Sequence, residues 1–93
     1  MEFDWDGTKS DRCLTERGFD FAYVIRAFAD PNRIVREDHR WDYGERRYQL
    51  LGEVDGRVFF VAYTLRARVI RIISARKANQ RESTEYDHRA RQS

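Results

Sequence analysis

Ninety-three residues, of which 37% are charged and 41% hydrophobic, make one soluble-type domain with a modest core and no room for a second. No apolar run is long enough to span a bilayer, and Met1 leads straight into charged sequence without a signal peptide, so the cytoplasm is the expected compartment and no membrane contact is expected. Cys13 stands alone, which excludes an internal disulfide and a Cys-based zinc site; with His39 and His88 49 residues apart and the carboxylates scattered, no metal and no cofactor is expected.

The formal charge is only +2, but it is unevenly placed. Residues 1–56 hold 9 Lys/Arg against 13 Asp/Glu, a balance of −4, while residues 57–93 hold 9 against 3, or +6. Such asymmetry suggests a basic working face or a basic tail that meets an acidic partner.

In chain order, Glu2-Phe3-Asp4-Trp5 alternates polar and apolar as a short edge strand does, with Phe3 and Trp5 inward. Asp6 caps a helix predicted over Gly7 to Arg17, which stops at Gly18 because glycine accepts the left-handed position after a helix. Cys13 and Leu14 are its thin apolar face. Asp20 caps a second helix, where Phe21, Val24, Ile25 and Phe28 recur at i, i+3, i+4 and i+7; it ends before Pro31. Arg33 to Arg36 is a further short strand, and residues 37–44 form a polar, aromatic-rich connection.

The chain is organised around Glu45 to Lys77, which reads as a meander of three antiparallel strands. Arg46–Val54 meets Arg57–Thr64 across Asp55-Gly56, a pair suited to a type I′ turn, and Val69–Ala75 follows across Leu65–Arg68. β-Branched and aromatic residues supply the sheet, yet arginines intrude throughout, which suggests a surface meant for phosphate. After Lys77 the chain is polar and helix-prone, with Glu85 and Arg89 in the favourable i, i+4 order and Ala78 and Tyr86 nearly the only apolar anchors, so residues 77–93 read as a marginal helix and tail. The order β-α-α-β-β-β-β-α describes a single α+β domain over residues 1–93, two helices on one face of an antiparallel sheet, with a C-terminal helix.

Several segments together carry a family likeness. Phe3-Asp4-Trp5-Asp6, Gly18-Phe19-Asp20-Phe21, Asp30-Pro31, Asp42-Tyr43-Gly44-Glu45-Arg46-Arg47-Tyr48, Val61-Ala62-Tyr63-Thr64 and above all Arg71-Ile72-Ile73-Ser74-Ala75-Arg76-Lys77-Ala78 resemble the BrnT-type toxins in order and spacing. The resemblance implies a RelE-like fold and metal-independent endoribonuclease activity. It also implies a BrnA-type antitoxin that silences the toxin, and contact with operator DNA only through that antitoxin. Near the end of the first helix the family usually has Asn, then Lys-His before the Gly, where this chain has Cys13, Glu16 and Arg17. Those replacements keep two alternatives open: a catalytically weak antitoxin-binding co-repressor, and an RNA-binding module that does not cut. The family also tends to have Gly-Asp where Ala67-Arg68 stand, so a positive φ there strains Ala67 by about 1 kcal/mol.

Metal-free RNA cleavage needs groups that align the 2′-OH with its phosphate, move protons and stabilise negative charge. The catalytic candidates are Arg76, Arg71, Glu45 and Arg47; the substrate-binding candidates are Arg17, His39, Arg66, Lys77 and Trp41. Arg76, ending its strand, either meets substrate or pairs with Glu82 or Glu85. Arg71 either grips phosphate or pairs with a carboxylate such as Glu45. A regular strand would point Arg71 and Arg76 to opposite faces unless a bulge re-aims one. Glu45 with Arg47 is either a base beside a phosphate clamp or a cross-strand salt bridge. Arg17 can bind phosphate but is a poor proton carrier. His39 is either an acid–base group or an idle loop residue, and Trp41 and Tyr43 either stack on bases or plug an end of the sheet.

Overall fold

A computed structural model describes residues 1–92. The elements are β1 (Glu2–Trp5), α1 (Gly7–Arg17), α2 (Phe21–Val24) running into a 3₁₀ segment (Ile25–Ala29), β2 (Ile34–Asp38), β3 (Arg47–Val54), β4 (Arg57–Arg66), β5 (Val69–Lys77) and α3 (Gln80–Gln92). They build an α+β domain on one five-stranded sheet in the order β1-β5-β4-β3-β2. No helix among the described residues is long and apolar enough to cross a membrane.

The local punctuation works as its chemistry requires. Asp6 accepts from the Thr8 N–H at 2.9 Å, Asp20 from the Tyr23 N–H at 2.9 Å, and Gly18 closes α1 at φ 87°. Asp55 and Gly56 both take positive φ, as the tight β3–β4 hairpin demands. Ala67 also sits at φ 56°, where its Cβ crowds the carbonyl. Ala67→Gly should therefore raise stability by about 0.5–1 kcal/mol in a denaturant titration, the gain being limited by the extra freedom of the unfolded glycine.

Two expectations are corrected. The sheet is mixed rather than antiparallel, because β1 lies parallel to β5, with Glu2 opposite Val69 and Trp5 opposite Ile72. Placing Phe3 and Trp5 on the helix-covered face satisfies their apolar rings, and alternation alone carries no strand direction. The second helix keeps α geometry only through Val24 and then tightens into the 3₁₀ segment. That segment lies against β3 at Gly52, where a Cβ would stand 2.6 Å from the Ala27 carbonyl oxygen. The tighter turn still buries Ala27 while packing half-buried Phe28 against the rings of Phe3 and Tyr63.

The main core lies between the sheet and α1, α2 and the 3₁₀ segment, with Val24, Ala27, Leu50, Val61 and Ile72 almost fully shielded. Cys13 faces this core, as expected of a small helix residue. A smaller cluster of Ile34, Leu51 and Tyr86 fastens α3 to the opposite face. The β4–β5 ladder slips between Ala62 and Tyr63: Ala62 faces Ser74 while Tyr63 faces Ile72, so Ile73 is an extra residue. This bulge reverses the alternation of β5. Ile70, Ile72 and Ala75 enter the main core, and Arg71, Ser74 and Arg76 share the other face.

Candidate functional site

The register sets a polar row across the sheet on the face away from α1 and α2. Asp4, Arg71, Thr64, Arg47 and Asp38 stand side by side on β1, β5, β4, β3 and β2. Arg71 pairs with Asp4 at 3.3 Å, not with Glu45. Glu45 stands just before β3 and is reached by two guanidinium groups, Arg47 at 3.4 Å and Arg66 at 3.7 Å. The Arg47 guanidinium lies 4.1 Å over the Tyr43 ring, whose hydroxyl donates to Asp38. Arg40 completes that support with two guanidinium hydrogen bonds and one from its backbone N–H to Asp38, which hold its carboxyl far below the usual range against the cost of desolvation. Thr64, buried between Arg71 and Arg47, donates its hydroxyl to the Arg46 carbonyl at 2.6 Å.

Three of the predicted residues thus meet, Glu45, Arg47 and Arg66, while Arg71 stands in the same polar row two strands from Arg47, across Thr64. Their ion pairs are long and partly solvated, with Glu45, Arg47 and Arg71 side chains about one-third exposed or less and Arg66 62% exposed. Loose pairs of this kind contribute about 0–1 kcal/mol each. Glu45 thus stands between two guanidinium groups, while Arg71 is paired with a second carboxylate, Asp4.

Arg76 shares this face but is engaged differently. Its guanidinium grips Glu82 of α3 through two bonds of 2.7 and 3.0 Å and lies 4.1 Å over the Phe60 ring. Arg36 bonds Glu85, the partner that the helix pattern had offered to Arg89. Tyr86 donates to Asp30, which also accepts from the Glu53 N–H at 2.7 Å. These polar fastenings hold a helix that has little apolar surface to bury. Burial pushes the Asp30 carboxyl up, but the hydrogen bonds from Tyr86 and the Glu53 and Asn32 N–H groups outweigh it and leave it below its ordinary value. The Arg76 bridge likewise holds Glu82 low against desolvation. Depressed carboxyl pKa values stabilise above the unfolded value and lose that contribution as pH falls through the folded one. Exchange protection of the α3 amides should therefore decline on acidification below about pH 4, and Glu82→Gln should flatten that profile.

Arg17 and Lys77 occupy another place. With Arg57 they line a groove of about 490 Å³ between the end of α1 and the start of β4, floored by Leu14, Phe19 and Phe59. Asp20 and Asp55 also reach its walls, but Asp55 is taken by Tyr23 and by both terminal nitrogens of Arg26. Among the described residues, no ion pair engages Arg17, Arg57 or Lys77. Arg57 was not singled out beforehand, although it shares the Lys77 face two positions from Phe59, the Lys77 partner. Thr64 and Asp4 were missed because neither residue signals a role until the register sets it beside Arg71.

His39 and Trp41 lie on the β2–β3 connection. The His39 ring is 3.8 Å from Glu37 and 78% exposed. Trp41, at 71% exposure, does not plug the sheet; half-buried Tyr43 covers that end instead. Among the described residues, no three His, Cys, Asp or Glu side chains gather as a metal-binding group.

Comparison with curated proteins returns no match. Comparison with protein families matches residues 5–82 to the ribonuclease toxin BrnT of type II toxin–antitoxin systems. The matched stretch runs from β1 into the first turn of α3 and includes the whole converging cluster and the cationic groove. With most of its length covered, the chain belongs to the BrnT family of type II ribonuclease toxins.

Proposed function

We propose that the protein is a metal-independent endoribonuclease whose cleavage site is the sheet-face cluster of Glu45, Arg47, Arg66 and Arg71. The observation that carries this reading is a single carboxylate within 3.7 Å of two guanidinium groups, with a third arginine across Thr64. Glu45 takes the proton of the RNA 2′-OH; the new 2′-oxygen–phosphorus bond forms as the bond to the 5′-oxygen breaks, and that oxygen collects a proton from solvent. Arg47, Arg66 and Arg71 balance the charge that builds on the non-bridging oxygens. Arg76 is assigned to holding α3, and Arg17, Arg57 and Lys77 to binding the RNA backbone outside the cleavage point. His39 and Trp41, exposed on the β2–β3 connection, are assigned to contacts with the strand.

A cognate protein antitoxin of BrnA type covers these cations, and the toxin reaches operator DNA only through it. Incubating purified protein with end-labelled RNA in EDTA tests the reading. Fragments with 2′,3′-cyclic phosphate and 5′-hydroxyl ends support it. Intact RNA, or cleavage that survives loss of both Glu45 and Arg71, defeats it.

A second reading draws on the groove, where among the described residues three cations stand in no ion pair and the lining Asp20 and Asp55 carboxylates accept from the Tyr23 N–H and from Tyr23 and Arg26. It makes the protein an RNA binder without cutting activity. RNA retained on a filter at full length, with retention lost on Arg57→Glu, is its signature.

A further inference from the structure

β2 ends the sheet on the side away from β1, and no strand borders its outer edge. It pairs with β3 without a bulge from Ile34 to Asp38. Among the described residues, no hydrogen bond from outside the sheet reaches the main chain of these five residues. In an antiparallel ladder alternate residues turn both N–H and C=O away from their neighbour, so part of the β2 backbone is left without a partner. Neither proline nor glycine interrupts the strand, and an open edge of this kind is a template for another strand.

The two faces of β2 differ. Ile34 and Arg36 lie under α3, against Tyr86 and Glu85. Arg33, one residue before the strand, alternates with them together with Val35 and Glu37. Val35 stands opposite fully shielded Leu50 yet is 46% exposed. Arg33 gives one guanidinium nitrogen to the Asp30 carbonyl at 3.0 Å, and its other terminal nitrogen donates to nothing among the described residues. The Glu37 carboxylate has the exposed His39 ring 3.8 Å away. Along this side the edge thus reads cation, apolar residue, anion.

That row is complementary to itself when run in the opposite direction. With a two-fold axis through Val35, Arg33 faces the partner's Glu37 at both ends and Val35 faces its own copy. Whichever alternate set of N–H and C=O groups turns outward, this register sets it against the same set. Centring on Ile34 instead pairs no charges, and centring on Arg36 opposes two guanidiniums, which destabilises. A peptide of one charge would satisfy one end of the row, whereas self-pairing satisfies both.

We propose that a second copy of this chain adds its β2 here, antiparallel about Val35, joining two five-stranded sheets edge to edge. The inference concerns assembly and stands apart from the cleavage reading. One strand pair is a small interface, so the association is weak and depends on concentration.

Sedimentation velocity of the full chain tests it. The mass should rise from one chain at about 1 µM toward two at about 1 mM. Arg33→Glu and Glu37→Arg should each weaken self-association about tenfold or more, since each sets like charges together at both ends. Mixed in equal amounts, the two variants should associate at the parental strength, because one then carries only anions in the row and the other only cations. Val35→Lys puts two ammonium groups at the axis and should abolish the dimer; where a charge variant melts early, this one decides, and a dimer that survives it overturns the proposal. A chain that stays single at about 1 mM, a dimer that ignores both charge reversals, or folded variants that stay apart when mixed also overturns it. So does a β2 edge that amide exchange finds protected only when antitoxin is added.

Discussion

Glu45→Gln should lower RNA cleavage about 10²–10⁴-fold, the range that a positioned general base supplies. The substitution keeps the size and a hydrogen-bonding oxygen but removes the negative charge between Arg47 and Arg66. Because those pairs are long and partly solvated, stability should change by no more than about 1 kcal/mol. Comparing single-turnover rates on a labelled oligonucleotide with the thermal midpoint separates chemistry from folding. RNA affinity should hold or tighten, since the cluster becomes more cationic. A variant that cuts at the parental rate would remove Glu45 from the mechanism and leave its contacts as ordinary surface bridges.

Gly52→Ala should destabilise the fold by about 1–3 kcal/mol, the usual cost of forcing one more methyl into a packed core. The added carbon would stand 2.6 Å from the Ala27 carbonyl oxygen, 2.9 Å from the Ala27 Cβ and 3.0 Å from a Leu50 methyl. The first of these is backbone and cannot swing aside. Retreat of the 3₁₀ segment would drag Asp30, whose N–H bonds the same Ala27 carbonyl and whose carboxylate accepts from Glu53 and Tyr86. Damage at Gly52 should therefore reach α3 on the other face of the sheet. The matched control is Gly7→Ala in the first turn of α1, where a Cβ meets nothing within 4 Å; it should be neutral or stabilising by up to about 1 kcal/mol. Thermal melts resolve the two, since a domain of this size shifts by about 4–8 °C per kcal/mol.

The residues that made the fold legible are those whose chemistry is local. Asp6, Gly18, Asp20, Pro31 and Asp55-Gly56 announce their caps and turns without help from distant sequence, and each acts as its type demands. The strand direction of β1 was not legible, because an alternating tetrapeptide is the same read against a parallel or an antiparallel partner. Nor was the tightening after Val24, which the close backbone approach at Gly52 accompanies and no helical period reports. In the candidate site, the arginine-rich strands were evident, but their partners were not. The bulge at Ile73 alone decides that Arg71 and Arg76 share a face, and only the fold shows Glu82 already seated on Arg76. Arg57 and Lys77 meet Arg17 across the hairpin and the α1 terminus, a juxtaposition that spacing along the chain does not encode.

The parallel pairing of β1 with β5 bears on how the chain assembles. Residues 2–5 find their partners 67 positions further on, the longest-range ladder in the sheet. During synthesis the β3–β4 and β4–β5 hairpins can close as they emerge, whereas the segment made before them must wait for Val69–Ile72 before it can dock. Of the five strands, the one made first is thus the last to be tied in, and Phe3 and Trp5 lack their β5 neighbours until that moment.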